Sequence, residues 1–267
     1  RFVPKIKQQR IMNHLLEYYQ QQKQTLFQKL ESLKKEIDVE ELHDLRVAHK
    51  RIRAFFRMLK KIDPNLLPSD EDYQYIKKFY KTAGKLRDLH VQDKETTKHE
   101  EHLGMDLGFI HNFIRKYEKE AEKDFSEALK SFDKGVFDRY EGKLEKGLQK
   151  EEPFGWYKKV VDFTYQEYKK VEDKIDKANT SEKLHKVRSN LKDIFYYMEI
   201  INSEDTFEDI SDKEVQDAQS FLGDWHDNVV SYEFLKEFEK ENPQIADKNR
   251  GTLEILEDYL IQKIHFN

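Results

Sequence analysis

The sequence predicts an all-α protein made of two four-helix bundles related by a pseudo-two-fold. Three observations carry that expectation. Apolar residues recur at helical spacing through most of the chain, and no segment alternates with the period of two that a strand requires. Nine glycines and five prolines in 267 residues, with 38% charged residues, favour long helices rich in Lys, Glu, Leu and Tyr. Two sequence signatures recur in the same order in the two halves, the mark of an internal duplication.

Ile6 to Ile37 reads as a long amphipathic helix, with Ile11, Leu15, Tyr18, Tyr19, Leu26, Leu30 and Leu33 inward. A second helix follows from Val39 and is stopped by Asp63-Pro64. A third starts near the capping sequence Ser69-Asp70-Glu71 and turns Ile76, Phe79, Tyr80, Ala83, Leu86 and Leu89 inward. It is expected to fray into the polar run Gln92 to Glu101. Leu107 to Phe132 forms the fourth helix, with Ile110, Phe113, Ile114, Tyr117 and Phe125 inward, and Phe137 to Leu148 a shorter piece. Glu151 to Gly155 is the clearest break, and the order then repeats. Trp156 to Ile175, Leu184 to Ile201, Glu214 to Phe238 and Pro243 to Ile264 are the helices of the second half. The expected domains are therefore residues 1–150 and 151–267.

A chain of this size buries a substantial core. It has no cysteine, which excludes disulfides, thiolate metal sites and cysteine nucleophiles. No apolar run approaches a membrane span and no signal peptide is visible, so a cytoplasmic protein is expected. The net charge of −5 argues against a general nucleic-acid binder and confines any anion site to a local patch; no specific nucleic-acid partner is expected.

That patch lies on Leu42 to Ile62. At about 100° per residue, His43, Arg46, Lys50, Arg53 and Arg57 fall in one narrow sector. Leu42, Leu45, Ile52, Phe56 and Leu59 form one apolar flank; Val47, Ala54, Phe55, Met58 and Ile62 form the other. Asp44, His49 and Arg51 are the main exceptions. A helix buried on most sides with an all-basic ribbon left over must line a groove or meet a polyanion, because unpaired buried charge is too costly.

The duplication is direct. Leu42-His43-x-x-Arg46-x-x-x-Lys50 matches Leu184-His185-x-x-Arg188-x-x-x-Lys192, and Ala83-Gly84-Lys85-Leu86-Arg87-Asp88 matches Leu222-Gly223-Asp224-Trp225-His226-Asp227. The copies are unequal. Asp193, Phe195 and Glu199 replace Arg51, Arg53 and Arg57, and Gln216, Ser220 and Asp224 replace Lys77, Lys81 and Lys85. The first half is expected to dominate any anion site.

These segments resemble the CHAD family, named for a conserved histidine and an α-helical domain. Its signature helix, His-x-x-Arg-x-x-x-Lys/Arg-x-x-Arg, occurs once per half, each followed by a Gly-x-x-Arg-Asp-type helix. The resemblance covers almost the whole chain. It implies two four-helix bundles with a basic channel between them that binds inorganic polyphosphate, without catalysis, as an accessory to phosphate metabolism. Carried over by position, the binding residues are His43, Arg46, Lys50, Arg53, Arg57, His185, Arg188 and Lys192. Lys81, Lys85 and Arg87 extend the ribbon along the next helix. Phe195 and His226 depart from the pattern, where arginines are usual. The resemblance implies no cofactor; the partners it implies are polyphosphate and polyphosphate-associated proteins, with a location at polyphosphate granules.

Two blander expectations compete. Acids from neighbouring helices can neutralise the ribbon, leaving a structural or protein-interaction domain. A metal-binding domain is weaker still: His99-Glu100-Glu101-His102 lacks the i, i+4 histidine spacing of zinc proteases and sits in a polar run expected to be solvated. No nucleophile–base pair or phosphate-binding glycine loop is legible. Gly84 and Gly223 read as sites of close helix packing.

Overall fold

Capping chemistry sets most helix boundaries. The Asp38 carboxylate accepts hydrogen bonds from the Glu40 and Glu41 amides (2.9 and 2.8 Å) and starts one helix, and the extended backbone of Asp63 before Pro64 ends it. Ser69 Oγ accepts from the Asp72 amide at 3.1 Å to start the next, which ends at Gly104 with φ of 63°. The structure, a computed structural model, describes the backbone of residues 5–150, 152–175, 177, 178, 180–201, 207 and 210–265, and their side chains from residue 14 on, except 153, 154 and 212. Among the described residues every regular element is helical: α1 (Lys5–Leu33), α2 (Val39–Ile62), α3 (Asp70–Leu103), α4 (Gly108–Lys130), α5 (Gly135–Leu148), α6 (Pro153–Ile175), α7 (Ser181–Ile201), α8 (Asp212–Glu241), α9 (Pro243–Lys248) and α10 (Arg250–Ile264). A short 3-10 turn at Pro64–Leu66 follows α2. The Ile11 side chain and Glu151, at the expected break, lie outside the described residues.

Four expectations need correction. Helix α1 stops at Leu33, where the chain turns through Lys34 and Lys35, rather than at Ile37. The polar run on α3 does not fray. Gln92, Thr96 and His99 follow one face at i, i+4, i+7 and are buried, and His111 of α4 lies between Asp93 (2.6 Å) and Glu100 (3.2 Å) of α3. Burial of that face and the cross-helix contacts hold the polar segment helical. The closing helix is two pieces, broken at Asn249, whose side-chain amide donates to the Ile245 carbonyl at 2.8 Å and competes with the backbone ladder. At Gly223 no close packing exists, since a Cβ there would meet nothing within 4 Å.

The chain forms two compact units. Unit 1 holds residues 1–80 and 129–219, and unit 2 holds residues 81–128 and 220–267. Each unit therefore takes residues from both 1–150 and 151–267. Of the three boundaries between them, at Lys81, Leu129 and Ser220, the first and third fall on positions that the repeated signatures match to one another.

In unit 1, α1 packs on α2 and α6, α2 packs on α7, and α6 packs on α7. Its aromatic centre joins Tyr19, Phe55, Phe56 and Tyr140, with Tyr140 edge-on to Tyr19 and Phe56 at 5.0 and 4.8 Å. Two of the buried rings have their polar tips satisfied: Tyr19 Oη donates to the Phe137 carbonyl and Trp156 Nε1 to that of Leu148, each at 3.0 Å. In unit 2 the core joins Leu107, just before α4, and Ile110 and Ile114 of α4 to Leu235 and Phe238 of α8 and to Leu253, Leu256 and Leu260 of α10.

Two glycines of α5 offer a paired test. A Cβ on Gly147 would lie 2.1 Å from Leu66 Cδ2, a fully packed side chain, whereas a Cβ on Gly142 would meet nothing within 4 Å. Gly147→Ala is expected to cost about 1–3 kcal/mol through overpacking, and Gly142→Ala to gain about 0.5–1 kcal/mol from helix propensity. Urea unfolding of the two variants checks both signs; equal effects would contradict the packing of α5 on the 3-10 turn.

Candidate functional site

Helix α2 carries the basic ribbon, and its surroundings sort the ribbon into different fates. Leu42, Leu45, Ile52, Phe55, Phe56, Met58 and Leu59 are fully buried, so the helix is fixed on both flanks as its apolar pattern requires. His43, Lys50, Arg53 and Arg57 are half-buried and Arg46 is buried to 9% exposure.

Arg46, His49 and Arg53, at i, i+3, i+7, converge on one ring. The His49 imidazole stacks on Tyr80 of α3 with centroids 4.4 Å apart and planes at 14°. The Arg46 and Arg53 guanidiniums lie 4.6 and 4.7 Å from the same ring centroid, and Arg46 Nη1 reaches the Tyr80 carbonyl at 3.4 Å. A guanidinium on an aromatic face gains about 0.5–2 kcal/mol and keeps its full charge. Arg53 forms no ion pair among the described residues. His49 is 1% exposed, and burial, then Arg53 and Arg46, lower its pKa to about 3, with only the Ile76 backbone opposing. The imidazole is therefore neutral, a packing plate that adds no charge between the two arginines.

Arg51 and Arg57 have another role. Arg51 grips Glu199 of α7 with two hydrogen bonds, Nε to Oε2 at 2.8 Å and Nη2 to Oε1 at 2.7 Å. Arg57 Nη2 donates to the Asp193 carboxylate of α7, while its side chain keeps 41% of its exposure. The repeat that matches Leu42 to Leu184 matches Arg51 to Asp193 and Arg57 to Glu199. Each first-half arginine thus pairs with the acid standing at the other's position in the second half. This reciprocity is what a two-fold between α2 and α7 produces. The apparent loss of basic residues from the second copy supplies partners for the first.

The pairs also set direction. Residue numbers rise along α2 as they fall along α7, so the signatures run away from the paired segment in opposite directions. His43 to Arg57 spans about 21 Å of helix. On α7, Arg188 and Lys192 are half-buried and His185 is exposed, all in unit 1 with the α2 ribbon. Lys81, Lys85 and Arg87 belong to unit 2, where Lys81 and Lys85 are exposed and Arg87 is half-buried. Lys85 lines a cavity whose other charged side chains are carboxylates.

The sequence pattern named the ribbon but missed Tyr80, taken only as an inward residue, and His49, set aside as an exception. The signal was the spacing of Arg46, His49 and Arg53 on one helix face. The histidine pair of the polar run divides: His102 is exposed, whereas His99 is buried edge-on to Tyr259 (5.6 Å), its pKa lowered first by burial. That corrects the expectation of a solvated segment. Among the described residues no group of three or more His, Asp or Glu side chains is placed to hold a metal ion, and no helix is long and apolar enough to cross a membrane.

An all-helical protein organised on a basic-faced helix, with a second copy of its signature, defines the class. The sequence profile of the CHAD domain matches residues 17–236, and the chain belongs to the CHAD-domain family. The fold is similar to the crystal structure of the CHAD domain from the plant Ricinus communis, with a TM-score of 0.73 at 15% identity over 95% of this chain and 86% of that one. It is also similar to PptA from Streptomyces chartreusis, with a TM-score of 0.68 at 15% identity over 95% of each chain. At such identity the likeness establishes the fold. No curated protein matches the sequence. CHAD domains are in general non-catalytic binding domains and are linked to polyphosphate.

The neutral His49 makes stability depend on pH. Its folded pKa of about 3 lies below the ordinary imidazole value of 6.5, so the unfolded chain takes up a proton that the folded chain refuses. Stability is full above about 6.5 and falls as pH drops towards about 3. His49→Phe, which keeps a ring on Tyr80, is expected to lose about 2 kcal/mol less than the parent between pH 7 and pH 5. Urea unfolding at both values measures the difference; parallel losses would mean that His49 is not buried neutral.

Proposed function

We propose that the chain binds inorganic polyphosphate, without catalysis, along the basic ribbon of α2 in unit 1. His43, Arg46, Lys50, Arg53 and Arg57 supply the row, and His185, Arg188 and Lys192 of α7 extend it. The observation that carries this reading is the Tyr80 plate: it orders Arg46 and Arg53, and for Arg53, which forms no ion pair among the described residues, it positions the guanidinium without cancelling its charge. Forked, permanently charged donors repeated along a helix suit a flexible chain of phosphates. Membership of the CHAD family supports the same ligand.

The structural reading is favoured by one observation, the pairing of Arg51 and Arg57 with Glu199 and Asp193. Those pairs serve to join α2 to α7, and Arg57 contributes to the row with a reduced share of its charge. The proposal includes an internal duplication of residues 1–150 in 151–267, supported by the reciprocal pairs and by unit boundaries at matched positions. It also includes a cytoplasmic location with polyphosphate granules and their associated proteins as partners.

Replacing Arg46 and Arg53 together by Gln is expected to weaken binding of long-chain polyphosphate. Each phosphate contact releases counterions, so log K should fall less steeply with log salt, by roughly one to two units of slope if the dense-polyanion behaviour of nucleic acids carries over. Titration of parent and variant at several salt concentrations reads this. An unchanged slope would mean that the two arginines serve the fold alone.

A further inference from the structure

Unit 2 contains a cavity of about 560 Å3 between α3, α4 and α8 whose character is opposite to that of α2. Its apolar wall is aromatic: Phe113 stands 4.9 Å from Tyr117 and 5.6 Å from Phe234, ring to ring. Its charged lining is Asp88, Glu120, Asp124, Glu233 and Glu237 against the single cation Lys85. Among the described residues, Glu120, Asp124, Glu233 and Glu237 form no ion pair that would cancel this field. The Tyr117 phenol feels it: its pKa is raised first by the hydrogen bond to Glu241, then by desolvation, and then by Glu241, Glu237 and Glu120.

A second, independent feature points to a ligand. The Gln92 side chain lines the cavity, is 5% exposed as a residue, and takes no hydrogen-bond partner among the described residues. Its carboxamide is not among the fully sealed polar atoms, so it reaches the cavity and has an acceptor to offer to a donor entering there.

The spacing narrows the class. Each wall presents its polar groups at i, i+4: Asp88 and Gln92 on α3, Glu120 and Asp124 on α4, Glu233 and Glu237 on α8. Such pairs recur about 6 Å apart along a helix, comparable to ammonium groups joined by short methylene chains. The aromatic wall accommodates the methylenes, the carboxylates and the Gln92 carboxamide oxygen accept hydrogen bonds from the ammonium groups, and a cavity of this size suits a small molecule. We infer that this cavity binds a linear polyamine, a cation with an alkyl body, independently of the anion site on α2.

Isothermal titration of the intact protein with spermine, without polyphosphate, tests the inference. One spermine per chain is expected. Glu233→Gln with Glu237→Gln should weaken binding by about tenfold or more, because two charge-assisted hydrogen bonds are lost. Lys85→Gln should strengthen binding several-fold by removing the one opposing charge. Glu254→Gln with Asp258→Asn, exposed acids of α10 outside the cavity, should leave binding unchanged. The inference is overturned if the Glu233 and Glu237 variant binds as tightly as the parent. It is equally overturned if the α10 variant loses as much, or if equimolar magnesium displaces spermine, since diffuse charge would then explain binding.

Discussion

The structure depends on how α2 keeps a row of cations while its flanks are buried. Removing charge from water costs several kcal/mol per ion unless a partner compensates, and the helix meets this cost in two ways. Arg51 and Arg57 take carboxylates from α7. Arg46 and Arg53 take the face of Tyr80, which His49 supports from within the core. The first solution joins two helices and consumes charge. The second fixes geometry and leaves Arg53 without an ion pair among the described residues, and so it is the one on which the proposed function rests.

The reciprocal pairing gives the inequality of the two halves a physical meaning. Had both copies kept arginine at the positions of Arg51 and Arg57, four guanidiniums would crowd the contact of α2 with α7 with no acid between them. Converting one copy to Asp193 and Glu199 turns that repulsion into two ion pairs at a single stroke. The half that stays basic can then face a polyanion. The inequality of the two signature helices thus answers a requirement of packing between α2 and α7.

Much of this was legible in the residues because the signals were periodic. The burial of Leu42, Ile52, Phe56 and Leu59 follows directly from their spacing, and so does the grouping of the basic side chains on the opposite sector. The cross-partners were not legible. Nothing local to Asp193 or Glu199 says which arginine it meets, since that depends on which helices pack, and the two acids looked like losses. Tyr80 was hidden because one aromatic residue serves core and site alike. The polar run of α3 misled for the same reason in reverse: Gln92, Thr96 and His99 look solvated by composition, yet tertiary contact buries their shared face. Compact units also escaped the sequence, because each gathers helices from both sides of the clearest break.

The central claim is that the cations of α2 act as a row. A row is engaged cooperatively by one flexible chain, whereas a nucleotide reaches only part of it. The most direct measurement is the affinity of the protein for polyphosphates of increasing length at fixed ionic strength, with ATP as competitor. The account predicts affinity that climbs with chain length until the chain spans the ribbon, and an ATP that displaces the long chain poorly. Equal affinity for ATP and for long polyphosphate would contradict it and indicate a pocket for a single triphosphate instead.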